Sequence, residues 1–183
     1  AGDRTDAALA PVRVLEASLA LEAGDAPDAA RRLREAEAGI AALDDPAIDA
    51  EAAMVRGRIR RRNGLYKEAA RAFREAAVQS RASRNEAALG RALMLRAEAL
   101  DTAESPRSAD AWFVAARTLY GQGLIDLSLE ALRKALQRAD AWNDEAAMVR
   151  AQELFDVLER DLAENPRRPA ADTDEPTNPG DAP

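Results

Sequence analysis

The sequence predicts an all-α fold, an α-solenoid of about eight antiparallel helices, and three observations carry that expectation. A heptapeptide recurs: Glu51-Ala52-Ala53-Met54-Val55-Arg56-Gly57 returns almost verbatim as Glu145-Ala146-Ala147-Met148-Val149-Arg150-Ala151, with a diverged copy, Glu86-Ala87-Ala88-Leu89-Gly90-Arg91-Ala92, between them. The first two copies stand 35 residues apart, the length of a helix-turn-helix unit that cannot bury its apolar face alone and must stack on its neighbours. Hydrophobic residues make up 47% of the chain but aromatics only 4%, so alanine, the best helix former and small enough for close helix approach, supplies the apolar stripes. Glycine and proline then punctuate residues 6 to 163 at intervals of ordinary helix length.

The first helix is expected from about Asp6 to Ala23, with Pro11 tolerable only if the helix begins near it, and a stop at Gly24-Asp25. Pro27 opens the second, with Ala30, Leu33, Ala36, Ile40 and Leu43 on one face. Asp44-Asp45-Pro46 reads as a stop and a cap, and the third helix runs through Met54, Val55 and Ile59 to Asn63-Gly64. The fourth, about Tyr66 to Ser80, aligns Tyr66, Ala69, Ala70, Phe73, Ala76 and Ala77 in one stripe. A fifth covers about Asn85 to Leu100, and Ser105-Pro106 precedes a sixth carrying Trp112, Ala115, Ala116 and Leu119, which Gly121-Gln122-Gly123 ends. The seventh runs from Asp126 to Arg138 with Leu129, Leu132, Ala135 and Leu136 inward. The eighth, from about Asn143 to Leu162, carries Met148, Leu154, Phe155, Leu158 and Leu162. These helices form one domain, residues 1–163. From 164 to 183 the composition turns to Pro, Asp, Thr and Ala with almost no apolar bulk, which predicts a disordered tail.

Composition excludes much chemistry. The chain has no cysteine and no histidine, which removes disulfides, thiol nucleophiles, the usual zinc ligands and the commonest neutral-pH general base. Gly121-Gln122-Gly123 lies between two helices without a preceding strand, so it is a turn rather than a phosphate loop. The expectation is a non-enzymatic protein with no cofactor and no metal. No apolar run approaches the roughly 20 residues needed to span a bilayer, so the chain reads as soluble. It opens with Ala1-Gly2-Asp3, the small-residue start that follows the lipidated cysteine of a bacterial lipoprotein. An upstream lipid anchor and a periplasmic or outer-membrane location are therefore favoured over a cytoplasmic one.

Gly57, Gly64, Tyr66, Ala69, Phe73 and Ala76 fall in the order and spacing of the tetratricopeptide repeat, and the chain resembles that superfamily. A second unit keeps Trp112, Ala116, Gly123, Ser128, Leu132 and Ala135 at matching positions, and a weaker one keeps Ala17, Gly24, Ala29, Leu33 and Ala36. The physical basis is close helix packing: Gly57 and Ala69 make room where Tyr66 and Phe73 insert. The resemblance implies a right-handed superhelix whose concave face binds a partner. One departure stands out: Glu86 and Glu145 are 59 residues apart where one repeat needs about 34, so an additional helix of about 24 residues is expected and the pairing of helices five to eight stays open.

Charge is segregated. Residues 56–84 hold ten cations (Arg56, Arg58, Arg60, Arg61, Arg62, Lys67, Arg71, Arg74, Arg81 and Arg84) against Glu68 and Glu75, a net +8 in a chain of net −7. Arg60 to Arg62 lie in a last helical turn, where they meet the negative end of the dipole, but the rest need another account. In the tetratricopeptide register the concave positions are Glu51, Met54, Arg58, Arg61 and Arg62, then Leu93 and Arg96, then Phe113, Arg117 and Tyr120. The expected partner-binding residues are accordingly Met54, Arg58, Arg61, Arg62, Arg96, Phe113, Arg117 and Tyr120. Guanidinium forks suit bidentate carboxylates, so the expected partner is a protein or an acidic peptide. The family's carboxylate-clamp pattern of Lys and Asn is absent, so its ligand is not carried over. The alternatives are a basic patch balanced by the acidic neighbouring repeats or by a homo-oligomer contact, or nucleic-acid binding through it. The net charge of −7 and the scarcity of aromatics for stacking argue against the last.

Overall fold

The computed structural model describes the backbone of residues 2–164 and the side chains of residues 6–164. Residues 165–183, most of the expected tail, lie outside the described residues. The described chain is all-helical: α1 (Gly2–Glu22), α2 (Ala26–Leu43), α3 (Pro46–Arg62), α4 (Tyr66–Ala82), α5 (Glu86–Thr102), α6 (Ser108–Gly121), α7 (Ile125–Ala141) and α8 (Glu145–Glu164). Consecutive helices pack on each other through short turns, so the array is an antiparallel helical repeat solenoid.

Local chemistry sets the helix ends. Asp25, Asp45, Asn85 and Asp144 accept backbone N–H groups of the first turns of α2, α3, α5 and α8, at Asp28, Ala47, Ala88 and Ala147 respectively. Asp44 and Asp45 divide the expected stop and cap: Asp44 takes the left-handed conformation at φ 49° and Asp45 caps α3. At the other ends, the N–H groups of Asp25, Leu65 and Leu124 each reach back five residues to a helix carbonyl, after Gly24, Gly64 and Gly123 at positive φ.

The first helix departs from expectation, since it begins at Gly2 and contains Pro11 in its interior. Proline removes one helical hydrogen bond, but the turn before it is held from outside. A Cβ on Gly39 of α2 would lie 2.2 Å from the Asp6 carbonyl oxygen, so the two backbones are in direct contact there. Arg13 also pairs with Asp6 at 3.4 Å.

The core is a chain of overlapping clusters. Val14, Ala17 and Leu21 meet Leu33, Ala36 and Val55 at one end, and Trp112, Leu119, Leu132 and Leu158 close the other. Buried alanines fill most of the remainder. The ring of Phe73, fully buried, sits in the notch left by Gly57. Lys134 lies 4.5 Å over the Trp112 ring.

Which helix is the additional one follows from the next-but-one contacts. α1 touches α3 and α3 touches α5, whereas at the other end α6 touches α8. The alternation of the array therefore shifts by one helix between α5 and α6. The pairs are α1/α2, α3/α4 and α6/α7; α5 is the extra helix, and α8 stands at the C-terminal edge of the pairs. The three pairs are those joined through Gly24, Gly64 and Gly123, while the remaining junctions use left-handed Asp44, Arg84, Glu104 and Asn143.

Candidate functional site

The alternation of helices leaves α1, α3 and α5 side by side, and a groove of about 560 Å³ runs between them. Its apolar lining comes from Val14 and Leu15 of α1, Met54 of α3 and Leu95 of α5, and its charged lining from Glu22, Glu51, Arg58 and Arg91. Leu15 is 59% exposed, so a leucine that ordinary packing would cover faces open space. A smaller recess of about 310 Å³ continues from it, lined by Leu21, Glu22, Arg58, Arg61 and Arg62.

Of the expected partner-binding residues, Met54 and Arg58 line the groove, and Arg61 and Arg62 line the adjoining recess. The remaining four lie elsewhere. Phe113 and Tyr120 are half-buried against the C-terminal core cluster, and Arg117 is exposed on α6. Arg96 is half-buried on α5, outside the lining. For Arg96 the reason is the face that α5 turns to the groove. Leu119 and Gln122 of α6 lie over Gly90, and Gln122 donates to the Glu86 carbonyl at 2.8 Å. The α5 face equivalent to the groove face of α3 is thereby covered by α6, and Ala87, Ala88, Arg91 and Leu95 turn into the groove instead.

The arginines of α3 are engaged within the molecule. Arg62 donates to the Leu21 carbonyl at 2.6 Å, at the negative end of α1, and Arg61 reaches Glu98 of α5 at 3.0 Å. Arg58 is held more loosely, at 3.3 Å from the Ser18 hydroxyl and 3.7 Å from Glu22. Arg56 pairs with Glu75 on α4. Arg61 and Arg62 therefore join α3 to its neighbours, and Arg58 is the fork best placed to exchange its partners for a ligand carboxylate.

Arg96 has no hydrogen-bond or ion-pair partner among the described residues. Burial, followed by the neighbouring charges of Arg74 and Arg107, pushes its guanidinium below the usual arginine value. In the first turn of α3, Asp49 is held above the usual aspartate value, by burial first and then by Asp44, Glu75 and Asp45. No group of acidic side chains among the described residues is arranged to hold a metal ion, and no described helix is long and apolar enough to cross a membrane.

Sequence reasoning missed the α1 and α5 contributions, Leu15, Ser18, Glu22, Arg91 and Leu95. The signal for α1 was present: Leu9, Val12, Leu15 and Leu19 accompany the inward Ala10, Val14, Ala17 and Leu21, so the helix carries more apolar residues than one buried face needs. For α5 nothing local announced its rotation. No protein-family model matches the chain, and no curated protein matches it.

Proposed function

We propose that this chain is a non-enzymatic, tetratricopeptide-like scaffold that binds a segment of a partner protein in the groove between α1, α3 and α5. The observation that carries the reading is the groove itself, where exposed Leu15 and half-buried Met54 and Leu95 stand beside loosely held Arg58 and unpaired Arg91. Apolar anchors with a few charged groups at their margin suit a peptide that inserts one or two side chains and orients its polar groups on Arg58 and Arg91. The repeat pattern of Gly57, Gly64, Tyr66 and Phe73 supports the family assignment, and a chain without His or Cys supports a binding role over catalysis.

The test uses Leu15→Asp combined with Arg58→Glu, two side chains outside the buried core, and Arg133→Glu on exposed α7 as control. Each protein is immobilised in the extract of its native cells, with a photo-crosslinking residue in place of Leu95. A protein crosslinked by the wild type and the control but lost from the groove variant is the expected result. Identical crosslinks from all three, with helicity unchanged, would overturn the groove as the binding site.

A further inference from the structure

The basic segment divides in two in the folded chain. On α3 its arginines have partners within the chain, Arg56 on Glu75, Arg61 on Glu98, Arg62 on the Leu21 carbonyl and, more loosely, Arg58 on Glu22. On α4 its cations have none. Lys67, Arg71, Arg74 and Arg81 are exposed and have no hydrogen-bond or ion-pair partner among the described residues. Their spacing of four, three and seven residues aligns them on one face of α4, opposite the buried stripe of Ala69, Phe73, Ala76 and Ser80. Val78, 60% exposed, fills the gap in the row. The ridge is about 21 Å long, from the 14 steps between Lys67 and Arg81 at the helical rise.

The complement of this ridge is present in the same chain. The outer face of α8 carries Glu145, Val149, Glu153, Asp156 and Glu159, all exposed, and Val149 is 57% exposed. Glu145, Glu153 and Glu159 have no partner among the described residues, and Asp156 accepts only from Gln152 one turn back on its own helix. Read antiparallel, the two rows match to within one residue over the same 15 positions: Arg81 with Glu145, Val78 with Val149, Arg74 with Glu153, Arg71 with Asp156, and Lys67 with Glu159. Arg160, beside this row, is folded back on the Asp156 carbonyl at 3.2 Å. Within one chain α4 and α8 are separated by α5, α6 and α7, so neither row neutralises the other intramolecularly.

We propose that the α4 ridge docks on the α8 face of a second copy of this chain, antiparallel, with four charge pairs and with Val78 and Val149 apposed between the Arg81–Glu145 pair and the other three. The complementarity is self-contained: apart from Asp156, held by Gln152 of its own helix, it uses cations and acids without a partner among the described residues, and it places the exposed valines of the two helices against each other. Because each copy carries both rows, two copies can make the contact twice, which closes a dimer, or once, which extends a chain. Arg96, close enough to Arg74 for their charges to interact, adds to the pull on an acidic face.

The experiment is sedimentation velocity over a concentration series at 0.1 M and 1 M salt, on the wild type and two charge-swapped variants. One variant carries Arg71→Glu with Arg74→Glu, the other Glu153→Arg with Asp156→Arg, and circular dichroism checks that both keep their helices. The wild type is expected to self-associate at 0.1 M salt, with a dissociation constant about tenfold or more higher at 1 M, where the Debye length falls from about 10 Å to about 3 Å. Each variant alone is expected to be monomeric. An equimolar mixture of the two regains association, because the swapped α4 faces the swapped α8 and the native rows face each other. A wild type that stays monomeric at 0.1 M salt overturns the proposal, as does association that neither variant weakens or a mixture that stays monomeric while both variants are folded. A monomeric wild type that retains a labelled oligonucleotide through Arg71 and Arg74 would also overturn it and assign the ridge to nucleic acid.

Discussion

Two glycines in the interiors of neighbouring helices serve different purposes, and a single methyl group separates them. At Gly57 an added Cβ would fall 2.5 Å from Cε1 and 2.6 Å from Cδ1 of Phe73, a ring fully buried and unable to withdraw. Helix propensity favours alanine over glycine by about 1 kcal/mol, but overpacking a rigid core costs about 1–3 kcal/mol, and here the clash prevails. Gly57→Ala is expected to lower stability by about 1–2 kcal/mol in urea denaturation. At Gly90 the nearest atoms are the end of the Gln122 side chain at 2.9 Å and a buried Leu119 methyl at 3.2 Å, and the flexible Gln122 end can turn away by giving up its bond to the Glu86 carbonyl. Gly90→Ala is therefore expected to be neutral or to stabilise by up to about 1 kcal/mol, and an equal loss at the two sites would refute this account. The Gly57 and Phe73 pairing was legible in the sequence because it follows the spacing within one helix pair. The partners of Arg58, Arg61 and Arg62 were not legible. They lie on other helices, about 40 residues away, and depend on how helices stack.

Turns decide how the elements pair. Three of the closely packed pairs, α1/α2, α3/α4 and α6/α7, turn through a glycine at positive φ: Gly24, Gly64 and Gly123. Between such units the same left-handed position is held by Asp44, Arg84, Glu104 and Asn143, whose Cβ atoms strain the backbone. Glu104 lies in the turn from α5 to α6, where the alternation shifts, and its N–H bonds to the Asp101 carbonyl at 2.9 Å while Ser105 reaches Leu100 at 3.0 Å. Glycine would relieve about 1–2 kcal/mol of left-handed strain against about 0.4–1 kcal/mol of extra unfolded-chain entropy. Glu104→Gly should thus raise stability by about 0.5–1 kcal/mol, seen as a higher urea midpoint at unchanged slope, and a lowered midpoint would contradict the argument. The glycine turns were visible in the sequence and distinguished the pairs. What hid the role of α5 is that its heptapeptide copy is that of a paired helix, while its rotation is imposed by Leu119 and Gln122 of α6.

A solenoid has no centre, so its stability is distributed by neighbours rather than shared by one core. α3 and α4 bury residues along their whole lengths, from Ala50 to Ile59 and from Ala69 to Ser80, whereas α8 buries only Ala147, Ala151 and Leu158. α8 packs mainly on α7, with a lesser contact to α6, and its remaining faces are open. Leu158, fully buried beside Trp112 and Leu132, is the principal anchor of its second half. Truncating a buried leucine costs about 2–5 kcal/mol in a closed core. Here the cost to the whole molecule is capped at the docking free energy of α8, because the helix can open without α3 and α4 following it. In Leu158→Ala, native-state hydrogen exchange should therefore show α8 amides losing protection while those of α3 and α4 keep theirs, with little movement of the main urea transition. Equal loss of protection in all the helices would instead mean that the shift between α5 and α6 transmits opening across the array, which would make the chain one cooperative unit. The contacts that cross the shift, Arg138 with Asp101 and Gln122 with Glu86, would then be what couples the two halves.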